Sequence, residues 1–96
     1  MDYIRGYEKE FGMLVELNEN FSMACLAKLT KKLGEGYTGW DYDAIEPFRQ
    51  KIIKLSKEEL TQKNLVNIAN YCSFLWHRKR EEQKELIKIN ETLNRD

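Results

Sequence analysis

Few residues in this 96-residue chain could do chemistry, and each has a plain structural competitor. Carboxylates three residues apart on a helix share a face and can hold Mg²⁺ together; Glu16/Glu19, Glu82/Glu85 and Asp43/Glu46 have that spacing. A working site needs two such pairs on facing helices. In a chain with 33% charged residues single pairs arise by chance, so a solvated face or a helix cap accounts for each. The one histidine, His77, stands between Trp76 and Arg78 with no nucleophile beside it, which favours a surface residue over a catalytic base. Cys25 and Cys72 lack CxxC spacing and fall in apolar stretches, which predicts buried free thiols. The richest combination is cations with flat rings. Lys31 and Lys32, then Arg49, Lys51, Lys54 and Lys57, then Arg78 to Arg80 could hold phosphates, while Tyr37, Trp40 and Tyr42 could stack on a base. The competing view is that Trp40 plugs the core under a loop and nearby glutamates balance the cations.

The elements that position these groups follow from composition and periodicity. The length allows one core and predicts a single all-α domain over residues 1–96. Sixteen basic and sixteen acidic residues leave a net charge of zero, so no global field favours nucleic acid or an anionic membrane. The charged N-terminus and the absence of a long apolar run predict a cytoplasmic protein with no membrane segment.

Apolar residues recur at spacings of three and four, the helical period, and the spacing predicts a small bundle of about four helices. Tyr3, Ile4, Tyr7, Phe11, Leu14, Val15 and Leu17 form a first stripe. A second helix starts at an Asn20 cap, carries Phe21, Cys25, Leu29 and Leu33, and stops at Gly34. GEGYTGWD (residues 34–41) is the one marked loop. A capping box at Asp43/Glu46 with Pro47 in the first turn opens a third helix over 44–55, with Phe48, Ile52, Ile53 and Leu55 inward. A second capping box, Ser56/Glu59, re-enters helix, and Asn64 caps a run from Leu65 to Leu93 that holds no Gly or Pro. Unbroken, that run of about 29 residues extends roughly 43 Å, too long for one small globule to cover. Its stripe of Leu65, Ile68, Ala69, Cys72, Leu75 and Trp76 is expected to meet the other helices. Beyond HRKREEQKE, the patch from Leu86 to Leu93 is expected to meet a partner, most simply a second copy.

Two stretches carry a family resemblance. FSMACLAKLTKKLGEGYTGWD (residues 21–41) resembles an F-x-x-M-x-x-KL…GGW opening, and LVNIANYCSFLWHR (residues 65–78) resembles a VDVANF-x-x-x-L-x-x-R helix. Both belong to small phage and prophage proteins related to MazG-like, dATP/dGTP diphosphohydrolase-like nucleotide pyrophosphohydrolases. The resemblance implies an all-α fold, oligomers and, in active members, acidic side chains that hold Mg²⁺ against a triphosphate. Asn67 stands where the family has the Asp of VDVAN, and Arg49, Gln50, Lys51 and Lys54 stand where acidic ligands are wanted. Asn keeps an oxygen but not the charge on which a hard dication depends, whereas Lys and Arg hold phosphates directly.

The resemblance therefore implies a degenerate member: a phage-type accessory protein that binds a nucleotide or cyclic-nucleotide signal without catalysis or cofactor, in one version sequestering a host defence signal. The expected ligand-binding residues are Tyr37, Trp40 and Tyr71 for the base, Lys51, Lys54 and Arg78 for phosphate, and Asn67 and Asn70 for polar contacts. The alternatives are a Mg²⁺-dependent pyrophosphohydrolase using Glu16, Glu19, Glu58 or Glu59, and an inhibitor that binds a host protein through Tyr37, Trp40 or the distal patch.

Overall fold

The computed structural model describes residues 6–94, all of whose regular structure is helical. Tyr3 and Ile4, expected on the first stripe, lie outside the described residues. Among the described residues three helices form where about four were expected: α1 (Tyr7–Gly34), α2 (Glu46–Ser56) and α3 (Gln62–Leu93).

The expected break at Asn20 does not occur, because α1 runs unbroken for 28 residues. Mid-helix Asn costs only a fraction of a kcal/mol, less than leaving a turn of backbone groups unpaired would. Glu8 and Glu10 in the first turn and Lys31 and Lys32 in the last match the helix dipole at both ends. Tyr7 and Phe11, one turn apart, stack with centroids 6.1 Å apart. Gly34 is the last helical residue, but the chain reverses at Gly36, whose φ of 93° suits a residue without Cβ. There the amides of Gly36 and Tyr37 donate to the carbonyls of Leu33 and Lys32.

α2 occupies its expected span with Pro47 in its first turn, yet neither capping box forms. No side chain caps its N-terminus; Glu46 instead accepts from the Gln50 amide at 2.8 Å and pairs with Arg49 at 3.8 Å. Ser56 closes α2, its hydroxyl donating back to the Ile53 carbonyl at 2.7 Å. The cap of α3 is Thr61, whose Oγ1 accepts from the Asn64 amide at 3.1 Å. Asn64 sits inside the first turn and donates its side-chain amide to the Glu59 carbonyl at 2.8 Å.

Among the described residues α1 and α2 each pack on α3 and not on one another. Phe48, Ile52 and Leu55 face α3, half-buried, whereas Ile53 turns outward. The face of α3 that meets Phe48 carries Tyr71 and Phe74, and of the expected stripe Ile68, Ala69 and Leu75 are half-buried whereas Leu65, Cys72 and Trp76 are exposed. Helical periodicity marks apolar residues, and α3 has them on both sides. Every described residue of α3 from Lys79 onward is exposed.

The molecule is drawn out to 64 × 38 × 27 Å, with a radius of gyration of 18.5 Å. A compact domain of this length has about 12.5 Å. No apolar side chain among the described residues is fully buried, and Asn70 is the one buried polar residue. Cys25 is half-buried and Cys72 exposed, so the expectation of two buried thiols fails for Cys72. No helix among the described residues is long and apolar enough to cross a membrane.

Candidate functional site

Aromatic rings gather where the loop after α1 and the start of α2 meet the middle of α3. Tyr71, Phe74 and His77 recur every three residues and so share one side of α3. Phe48 of α2 lies 5.9 Å from Tyr71 and 5.4 Å from Phe74, centroid to centroid. Trp40 stacks on Phe74 at 5.1 Å with the planes 20° apart and meets His77 edge-on at 5.1 Å. These offset and edge contacts suit the quadrupoles of the rings. Trp40 remains 39% exposed, so it is both a plug and a surface.

The loop that delivers Trp40 is pinned on both sides of it. Gly39 is buried with φ 92°, and its carbonyl accepts from the amides of Tyr42 and Asp43 at 3.1 and 2.8 Å. A Cβ at Gly39 would lie 3.2 Å from the Asp43 carboxylate, which is exposed and can shift, so it is the positive φ that favours glycine at this turn. Arg78 of α3 donates from Nη1 to the Asp43 carbonyl. That bond holds the guanidinium beside the aromatic cluster and ties the loop to α3.

Of the sequence-predicted ligand residues, the fold brings Trp40, Tyr71 and Arg78 to this cluster. Lys51 and Lys54 stand on exposed positions of α2, the first three residues beyond Phe48, and neither has an ion-pair partner among the described residues. Tyr37 is held away at the end of α1, 66% exposed, with Lys32 Nζ 4.9 Å from its ring centre. Asn70 is taken by the fold: its side-chain amide donates to the Cys25 carbonyl of α1 at 3.2 Å. Asn67, half-buried, stands one turn before both Asn70 and Tyr71, between the α1 side and the aromatic side.

Phe74 is the centre of the cluster and was not singled out by the sequence. The signal that finds it is the i, i+3 repeat from Tyr71 to His77, which crosses the apolar stripe instead of following it. Asp43 contributes through its backbone carbonyl, a role no side-chain pattern can reveal.

Electrostatics elsewhere is unremarkable in kind. The ion pairs Lys32–Glu35, Arg49–Glu46, Lys79–Glu82 and Lys84–Glu81 are exposed, three residues apart within or at the end of a helix, and contribute little. Burial pushes the Cys25 thiol above its ordinary pKa. Among the described residues no three His, Cys, Asp or Glu side chains stand together so as to hold a metal ion. No family model matches the chain, and no curated protein or solved structure is similar to it.

Proposed function

We propose that the protein is a phage-type accessory protein that binds a nucleotide or a nucleotide-derived signal, acting by capture and not by turnover. The observation that carries this reading is Trp40, a ring fixed on one side by Phe74 and His77 yet still partly open to solvent. A fixed aromatic face stacks on a base at low entropic cost, and stacking tolerates different bases. Lys51 and Lys54, without an ion-pair partner among the described residues, put positive charge on the helix that also holds Phe48, and Lys and Arg hold phosphate without a bridging metal. The ligand-binding set is Trp40, Tyr71, Arg78, Lys51 and Lys54, with Asn67 at its edge and Tyr37 outside it. Asn70 serves the fold.

Calorimetric titration with nucleoside triphosphates and cyclic di- and trinucleotides tests the assignment. Lys54→Glu is expected to abolish binding while leaving the melting temperature unchanged, because Lys54 is exposed and makes no ion pair. Unchanged affinity in Lys54→Glu refutes the phosphate site. A second reading, inhibition of a host protein, draws on the exposed Tyr7, Phe11, Leu14 and Phe21 of α1. Pyrophosphate release requiring Mg²⁺ would instead favour a pyrophosphohydrolase.

A further inference from the structure

The chain alone leaves too much surface in water. It exposes 8451 Å² at 11.5 kDa, where a compact monomer of that mass exposes about 5,800 Å². The excess, roughly 2,600 Å² per chain, matches the upper range hidden by each partner of an obligate homodimer. With a net charge of zero, nothing opposes self-association.

The uncovered side of α3 shows how a second copy would fit. Taken at heptad spacing from Leu65, the core positions are Leu65, Cys72, Lys79, Leu86 and Leu93, alternating with Ile68, Leu75, Glu82 and Ile89. Ile68 and Leu75 are half-buried, and the distal part of this seam is open: Leu86 is 62% exposed, Leu93 71% and Ile89 47%. Two charges, Lys79 and Glu82, interrupt it at its middle and pair with each other at 3.1 Å.

The geometry points to a homodimer in which two α3 helices pair antiparallel along this seam, Lys79 of one copy beside the partner's Glu82. The proposal gives an arrangement to the second copy expected at the Leu86 to Leu93 patch and does not depend on any nucleotide. In that register Leu93 meets the partner's Ile68, Leu86 the partner's Leu75, and Ile89 the partner's Cys72. From Ile68 to Leu93 every layer matches apolar with apolar or cation with anion. Slipping by one heptad places Lys79 against Leu75 or Ile89 and Glu82 against Cys72 or Leu86, burying charge against hydrocarbon. Pairing the helices parallel and in register stacks Lys79 on Lys79 and Glu82 on Glu82. The two charges thus select orientation and register by penalising the alternatives.

Sedimentation equilibrium on the full chain tests this. The wild type is expected to be a dimer at micromolar concentration. Lys79→Glu and Glu82→Lys, each of which sets like charges opposite one another twice per dimer, are each expected to weaken dimerisation by about 10-fold or more at low salt. The double variant Lys79→Glu/Glu82→Lys is expected to return to wild-type affinity. A monomeric wild type, single variants as tight as the wild type, or a double variant no tighter than the singles each overturns the proposal. Both side chains are exposed in the single chain, so helix content by circular dichroism stays unchanged. Nucleotide titration of the same samples reports separately on ligand binding.

Discussion

Removing the Trp40 ring should unfasten the loop from α3. About three-fifths of the residue's surface is covered, on the order of 150 Å², which at about 25 cal/mol per Å² corresponds to roughly 3.8 kcal/mol as an upper bound. Compaction of the unfolded chain lowers that by up to about 40%, and loss of the stack on Phe74 and the edge contact with His77 adds about 0.5–1.5 kcal/mol. Trp40→Ala is therefore expected to lower unfolding stability by about 3 kcal/mol, and Trp40→Phe, which keeps a ring over Phe74, by about 1–2 kcal/mol. Urea unfolding followed by far-ultraviolet circular dichroism at fixed protein concentration measures both. A loss below about 1 kcal/mol in Trp40→Ala would refute the claim that this ring clamps the loop. The same magnitude explains why a ligand test rests on Lys54 and not on Trp40: a variant that loosens the site also loosens the fold.

Other consequences are smaller or more local. Thr61→Ala removes the one side-chain cap found at a helix N-terminus and is expected to cost about 1 kcal/mol in the same urea assay, while Ser56→Ala, at the end of α2, costs less than half of that. Asn70→Ala deletes the hydrogen bond from α3 to the Cys25 carbonyl and is expected to cost about 1–3 kcal/mol, with the α1 amides losing protection in hydrogen exchange before those of α2. In the dissociated chain Cys72 is expected to react with a maleimide well before Cys25, and pairing of α3 with a second copy should slow Cys72, read by mass spectrometry of the labelled peptides. Because burial raises the folded Cys25 pKa above its unfolded value, its contribution is intact below the unfolded pKa. It fades as pH rises through the folded one, so alkaline titration should destabilise the wild type more than Cys25→Ser.

The helical class and the spans of α2 and α3 were legible because both rest on local signals: periodicity, Pro47 in a first turn, and a long run without Gly or Pro. Caps were not. Ser56, Thr61 and Asn64 all satisfy cap preferences within nine residues, and only the path between α2 and α3 decides that Thr61 serves. Asn20 was misleading for the same reason, since a good cap residue in mid-helix costs little when the backbone continues on both sides. The covered face of α3 is legible only in part, at Ile68, Ala69 and Leu75, because apolar residues ring the helix: Leu65 and Trp76 look as core-like in sequence as Tyr71 and Phe74, and the choice depends on where Trp40 and Phe48 arrive. Of the expected site residues, Trp40 and Tyr71 both meet Phe74 and Arg78 bonds to the neighbouring Asp43 carbonyl, while Asn70 is the hydrogen-bonding link between two helices.

The most direct measurement is a thermal-shift screen of the purified wild type against nucleoside triphosphates, cyclic dinucleotides and cyclic trinucleotides, with and without Mg²⁺. A ligand bound by the native state alone raises its stability by about 2.7 kcal/mol at a hundredfold excess over the dissociation constant. The account predicts a rise of several degrees or more with at least one of these compounds, of equal size in the absence of Mg²⁺. No rise with any of them, or a rise that vanishes without Mg²⁺, would contradict it.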